Sequence, residues 1–86
     1  MMDKEGFKVK YFKDTIIGMR AIITKNQLSE VFNGLEGTIR EGYRNDKHSI
    51  KTPRFGIVFD FPTSLDGVIY DGINLDDEDE IYLIID

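Results

Sequence analysis

Cysteine and tryptophan are absent from this 86-residue chain, proline occurs twice, histidine once, and no lysine or arginine follows Arg54. Without cysteine there is neither a disulfide framework nor a thiolate metal site, and a reducing cytoplasm is the expected compartment. No segment approaches the roughly 20 apolar residues needed to span a bilayer. The opening Met1-Met2-Asp3-Lys4-Glu5-Gly6 lacks the apolar run of a signal peptide, so no membrane partner is expected. A phosphate-cradling loop is missing too, because Gly34-x-x-Gly37 leads into a strand pattern and not into a helix N-terminus.

The same scarcity argues against catalysis. A Ser-His-carboxylate triad would have to be built on His48 with Ser29, Ser49 or Ser64, and no Gly-x-Ser-x-Gly supports one. His48, between Lys47 and Ser49, reads as a solvated loop histidine. The acids Asp76-Asp77-Glu78-Asp79-Glu80 are consecutive, whereas calcium loops place their oxygens at alternate positions around a turn glycine. Asp66-Gly67 and Asp71-Gly72 read as hairpin turns. No enzyme activity, metal or cofactor is expected.

What is present is a chain with two electrical halves. Residues 1–59 hold all 11 Lys and Arg against 7 Asp and Glu, a net of +4, while residues 60–86 hold 9 acids and no base, a net of −9. Such a division fits an acidic partner-binding surface or a basic nucleic-acid face. It fits equally a sheet in which the first and last strands pair and opposite charges meet.

Apolar residues alternate along most of the chain, so the class is mainly β. Phe7, Val9 and Tyr11 mark an extended N-terminal arm or extra strand over residues 1–14, ahead of a domain over 15–86. Met19, Ala21 and Ile23 line one face of a strand, and Leu35, Gly37 and Ile39 continue as the next, with Gly37 allowing a bend or the close approach of another backbone. Between them Leu28, Val31 and Phe32 are spaced for one short helical turn over 27–32, with Asn26 as N-cap, or for an irregular loop that folds Leu28 and Phe32 over the core. Glu41 to Pro53 reads as a long loop. Gly56 to Phe61 is the strongest strand, ended by Pro62, and Val68-Ile69-Tyr70 is a short one. Glu80 to Ile85 closes the sheet. The expected core is Ile57, Phe59, Phe61, Leu83 and Ile85.

The phrases Gly18-Met-Arg-Ala-Ile-Ile, Gly34-Leu-Glu-Gly37-Thr-Ile and Phe55-Gly-Ile-Val-Phe-Asp60 resemble small SH3-like barrels of the KOW type, including short ones encoded by bacteriophages. The resemblance spans Ile17 to Ile85 and implies about five strongly bent antiparallel strands and a binding role, in phage-like cases toward a host protein. The acidic and aromatic lining of a proline-peptide groove is not recognisable.

Two binding surfaces follow. An acidic, tyrosine-containing face would use Tyr70, Asp77, Asp79, Tyr82 and Ile84 to hold a protein partner, because tyrosine anchors interfaces and acidic rims steer basic partners. The alternative is nucleic acid or a nucleotide held by a basic loop over residues 40–54, through Arg40, Tyr43, Arg44, Lys47 and Arg54, with Tyr43 as a stacking platform. Partly apolar faces on Glu80 to Ile85 and Phe7 to Phe12 leave monomer and homodimer both open.

Overall fold

The computed structural model describes residues 5–42 and 54–85. They form one antiparallel sheet of six strands: β1 (Phe7–Lys8), β2 (Arg20–Lys25), β3 (Glu36–Glu41), β4 (Phe55–Leu65), β5 (Val68–Leu75) and β6 (Glu80–Ile84). The order across the sheet is β1-β6-β2-β3-β4-β5, so β2 to β5 run as a meander and β6 returns to lie beside β2. Five strands thus come from residues 15–86 and one from the N-terminal arm, in a sheet that does not close. No helix among the described residues is long and apolar enough to cross a membrane.

Alternation builds the core. On β2, Ala21 and Ile23 are buried while Arg20, Ile22 and Thr24 turn to the outer face, and β3 repeats the pattern with Gly37 and Ile39. Ile57, Phe59, Ile73, Leu75 and Ile81 extend this inner layer, and Val9, Ile16 and Phe32 close over it from three short 3₁₀ turns. Phe32 is fully buried, stacked on Phe59 at a ring separation of 5.8 Å and edge-on to Tyr70 at 5.4 Å.

The expected helical turn is a 3₁₀ turn over Glu30–Phe32, and its cap is Ser29, whose hydroxyl accepts from the Val31 N–H. Asn26 instead orders the loop ahead of that turn, where its side-chain oxygen accepts from the N–H groups of Leu28 and Ser29. Phe32 enters the core as expected, whereas Leu28 stays exposed.

Three expectations are corrected by one feature of β4. The strand does not stop at Pro62 but runs on to Leu65, and Asp71-Gly72 is not a turn but part of β5, with Gly72 opposite Val58. The ladder pairs Val58 with Gly72 and next Thr63 with Tyr70, so four residues, Phe59 to Pro62, face Asp71 alone. Such a bulge bends the strand and re-aims its side chains. Phe59 points into the core, and Phe61, expected beside it, is 81% exposed. Pro62 sits where no ladder bond requires its missing N–H. Gly37 and Gly72 make the bend possible: a Cβ at Gly37 would overlap the Val58 carbonyl oxygen, and one at Gly72 that of Ile57. Only glycine lets β3 and β5 close on the same two residues of β4 from opposite sides.

Two terminal segments also differ from expectation. Ile85 lies beyond the end of β6 and is exposed, while Leu83 is half-buried against the core. The N-terminal arm is a strand only over Phe7–Lys8; then Val9–Tyr11 tighten into a 3₁₀ turn, which buries Val9 and leaves Phe7 and Tyr11 exposed. The arm's partner explains the change, since β6 begins at Glu80 and the next backbone acceptors are the carbonyls of Asp79 and Asp77, reached by the N–H groups of Val9 (2.8 Å) and Lys10 (3.1 Å).

Candidate functional site

The acidic run folds into a turn between β5 and β6 that treats its five carboxylates differently. Asp79 is 1% exposed, the one fully buried charge among the described residues. Its carboxylate accepts from the backbone N–H of Gln27 (2.7 Å) and of Asp76 (2.8 Å) and from the Asn26 side-chain amide (3.2 Å). Burial pushes this carboxyl above the usual range, the N–H groups of Asp76 and Gln27 pull it back, and the nearby Asp76 charge adds to the rise. Within the turn, the Asp76 carboxylate accepts from the Glu78 N–H at 2.9 Å. Donors from the turn and from the Asn26–Gln27 loop together satisfy these carboxylates, which is why a string of acids can pack there.

Glu78 serves the N-terminal arm. Its two oxygens take Lys8 at 2.8 Å and Lys10 at 3.0 Å, and those cations hold its carboxyl down to about 2. Glu80 lies opposite Lys8 and Lys25 in the strand register. The two electrical halves thus meet across the β1–β6 ladder and the turn before it. Solvent screens pairs as exposed as these, so their effect is to seat the arm and not to hold the fold.

The five residues expected to form the acidic and tyrosine-containing face are divided. Tyr82 and Ile84 do share the outer face of the sheet: Tyr82 lies opposite Ile22, itself opposite Glu36, and Ile84 lies opposite Arg20, which continues to Thr38 and Val58. Asp77 stands at the turn that leads into this strand and is half-buried. Tyr70 belongs to the other side, packed against Phe32 and the core, and Asp79 is inside the turn. Neither can present its side chain beside Tyr82. Across the same outer face Arg20 holds Glu36 at 3.2 Å and grips Asp60 through both guanidinium nitrogens, one at 2.9 Å. The Asp60 carboxyl is lowered by that hydrogen-bonded guanidinium.

Of the alternative set, Tyr43, Arg44 and Lys47 lie outside the described residues, as does His48. Arg40 and Arg54 flank the segment and are engaged within the molecule. Arg40 donates to the Glu41 carbonyl (2.7 Å) and the Asn74 side chain (3.3 Å), and its guanidinium fills the space a side chain at Gly56 would need. Arg54 pairs with Asp14 at 3.2 Å and lies over the Phe55 ring.

The surface that sequence reasoning missed is the far end of the β4–β5 hairpin. The Asp66-Gly67 turn has positive φ at both residues, 52° and 79°, the geometry of a two-residue hairpin that matches the twist of its strands. Leading into and out of it, Phe61 (81%), Ile69 (71%) and Val68 (52%) are exposed. One signal was visible, because Val68-Ile69-Tyr70 is apolar on both faces of a strand. The other, a buried-strand pattern over Phe59 and Phe61, was misleading because the bulge breaks it.

Comparison of the chain with protein-family models, with curated proteins and with solved structures gives no match.

Proposed function

We propose that this chain is a non-enzymatic interaction module, an SH3-like barrel of the KOW type like those of short phage proteins, which works inside the cell by binding a protein partner. The strand order supports the barrel reading, since the last strand returns to pair with the first strand of the meander. Bending at the β4 bulge, framed by Gly37 and Gly72, is what a small barrel demands of a long strand.

The observation that carries the binding role is the outer-face row in which Tyr82 lies beside Ile22 and Ile84 beside Arg20. An aromatic and two aliphatic side chains on a rigid sheet, with carboxylates at Asp77, Glu36 and Asp60, form a small apolar centre with a largely acidic rim. Asp77, Tyr82 and Ile84 are the residues assigned to it; Tyr70 and Asp79 are structural. The test is recovery of bound molecules on the tagged protein from a bacterial lysate, with and without nuclease. A protein retained after nuclease, and lost when Tyr82→Ala is combined with Ile84→Ala in a folded variant, supports this surface. Recovery that vanishes with nuclease instead assigns the role to nucleic acid and the segment from Arg40 to Arg54.

A further inference from the structure

Beyond Asp60 the β4–β5 hairpin outgrows its neighbours. The last pairing of β4 with β3 is at Phe59, opposite Gly37, whereas β4 and β5 remain paired out to Leu65 and Val68. A two-stranded ribbon is marginal alone, and this one is held on a single side, where Leu65 and Tyr70 lean on the core and Tyr70 meets Phe32. Its remaining surface is apolar to a degree that stability does not explain: Phe61, Val68 and Ile69 are each more than half exposed. Val68 and Ile69, successive on one strand, expose apolar side chains on both faces of the ribbon and Phe61 adds a third from the bulge, a gathering of large apolar groups at one end that an interaction site offers.

Two further observations define what fits there. In the strand order β5 is terminal, so along Val68 to Tyr70 the outer edge of the ribbon carries no strand among the described residues. An exposed edge of this kind takes up an added strand through its main-chain groups. The ribbon's charged residues are Asp60, Asp66 and Asp71, and no lysine or arginine occurs from residue 60 onward. Arg20 neutralises Asp60, while Asp66 and Asp71 are exposed at the tip and beside the bulge. A second copy of this chain would bring the same carboxylates face to face, and an anionic membrane surface would be repelled by them. A basic partner is attracted by both.

We propose that the tip of the β4–β5 ribbon is a docking edge for an extended segment of another protein in which basic and apolar residues lie two apart. The segment adds to the edge of β5 at Val68 to Tyr70 and, on the face that Ile69 and Asp71 share, sets an apolar side chain beside Ile69 and a cation two residues away beside Asp71, with a further cation toward Asp66 at the tip. This inference rests on the reading of the chain as a protein-binding module and gives it a surface separate from Tyr82 and Ile84.

The test is selection of a displayed library of random ten-residue peptides on the intact protein, followed by binding of the enriched peptides to three folded proteins. These are the wild type, Phe61→Ser with Ile69→Ser, and Tyr82→Ser with Ile84→Ser. The expected result is enrichment of peptides in which Lys or Arg stands two residues from an aliphatic or aromatic residue. Their affinity should fall about tenfold or more in the ribbon variant and stay unchanged in the outer-face variant. Amide NMR shifts on titration should centre on Val68 to Asp71. Peptides that bind the ribbon variant as well as the wild type but fail on the outer-face variant would overturn the docking edge and leave the module reading standing. Acidic peptides, no enrichment at all, or self-association of the wild type that the ribbon variant abolishes would each overturn the proposed occupant.

Discussion

Replacing Asp79 with alanine removes the one acceptor that three donors share. The Gln27 and Asp76 N–H groups and the Asn26 amide all point at a carboxylate that is 1% exposed. Hydrogen bonds to a charged acceptor contribute about 1.5–3 kcal/mol each, and an abandoned buried donor costs about 1–3. Gln27 and Asp76 are themselves exposed residues, so water reaches their N–H groups once the carboxylate is gone, and the lower figure applies to each. The two backbone donors then set the loss at about 3 kcal/mol. A domain of this size has roughly 4–13 kcal/mol of stability in all, so Tm should fall by about 12–24 °C. Urea unfolding followed by far-ultraviolet circular dichroism measures it, with an unchanged m-value as the sign that the native fold persists. Asp79→Asn keeps the shape but turns one oxygen into a donor, and should lose about half as much. A loss below about 1 kcal/mol for the alanine variant would refute the view that this carboxylate holds the turn to the Asn26–Gln27 loop.

Three other outcomes are expected. Phe59→Ala should cost about 3–5 kcal/mol, because the ring is packed on Phe32, whereas Phe61→Ala, two residues on but turned outward within the bulge, should change stability by no more than about 0.5; equal losses in chemical unfolding would contradict the bulge. Gly37→Ala should destabilise by about 1–3 kcal/mol, since its Cβ meets a backbone carbonyl that cannot rotate away, and a neutral result in the same assay would mean that β3 and β4 separate freely. Glu78 has a folded pKa of about 2, below its unfolded 4.5, so the stabilisation it gives is present above pH 4.5 and is lost as pH falls toward 2. Glu78→Gln should therefore differ from the wild type in thermal stability at pH 7, in low salt, and match it at pH 2; a difference that persists at pH 2 would show that the Lys8 and Lys10 pairs are not its source.

The two proposed surfaces differ in how they arise. Tyr82 and Ile84 are on the outer face because Ile81 is drawn into the core and alternation sends its neighbours outward. Phe61 is outside because a bulge overrides alternation. In the first case the strand period is enough to place the side chain. In the second, placement depends on the count of residues between two ladder pairs in different strands, and no property of Phe61 itself records that count.

Local chemistry determined a good deal. The period-two pattern set the strands at Arg20–Lys25, Glu36–Glu41 and Glu80–Ile84, and Gly37 announced a close backbone approach. These are short-range effects, decided by the residues that show them. The fate of the five consecutive acids was not of this kind. Read as a string they are equivalent, yet one is sealed inside the turn by donors from residues 26 and 27, one is clamped by lysines from residues 8 and 10, and one faces strands on both sides. Tyr70 and Tyr82 looked alike in sequence and were parted in the same way, one onto Phe32 and one onto the outer face. Burial and partnership of a charged or aromatic group depend on what the chain brings against it from far along the sequence, and that contact exists only once the sheet has formed.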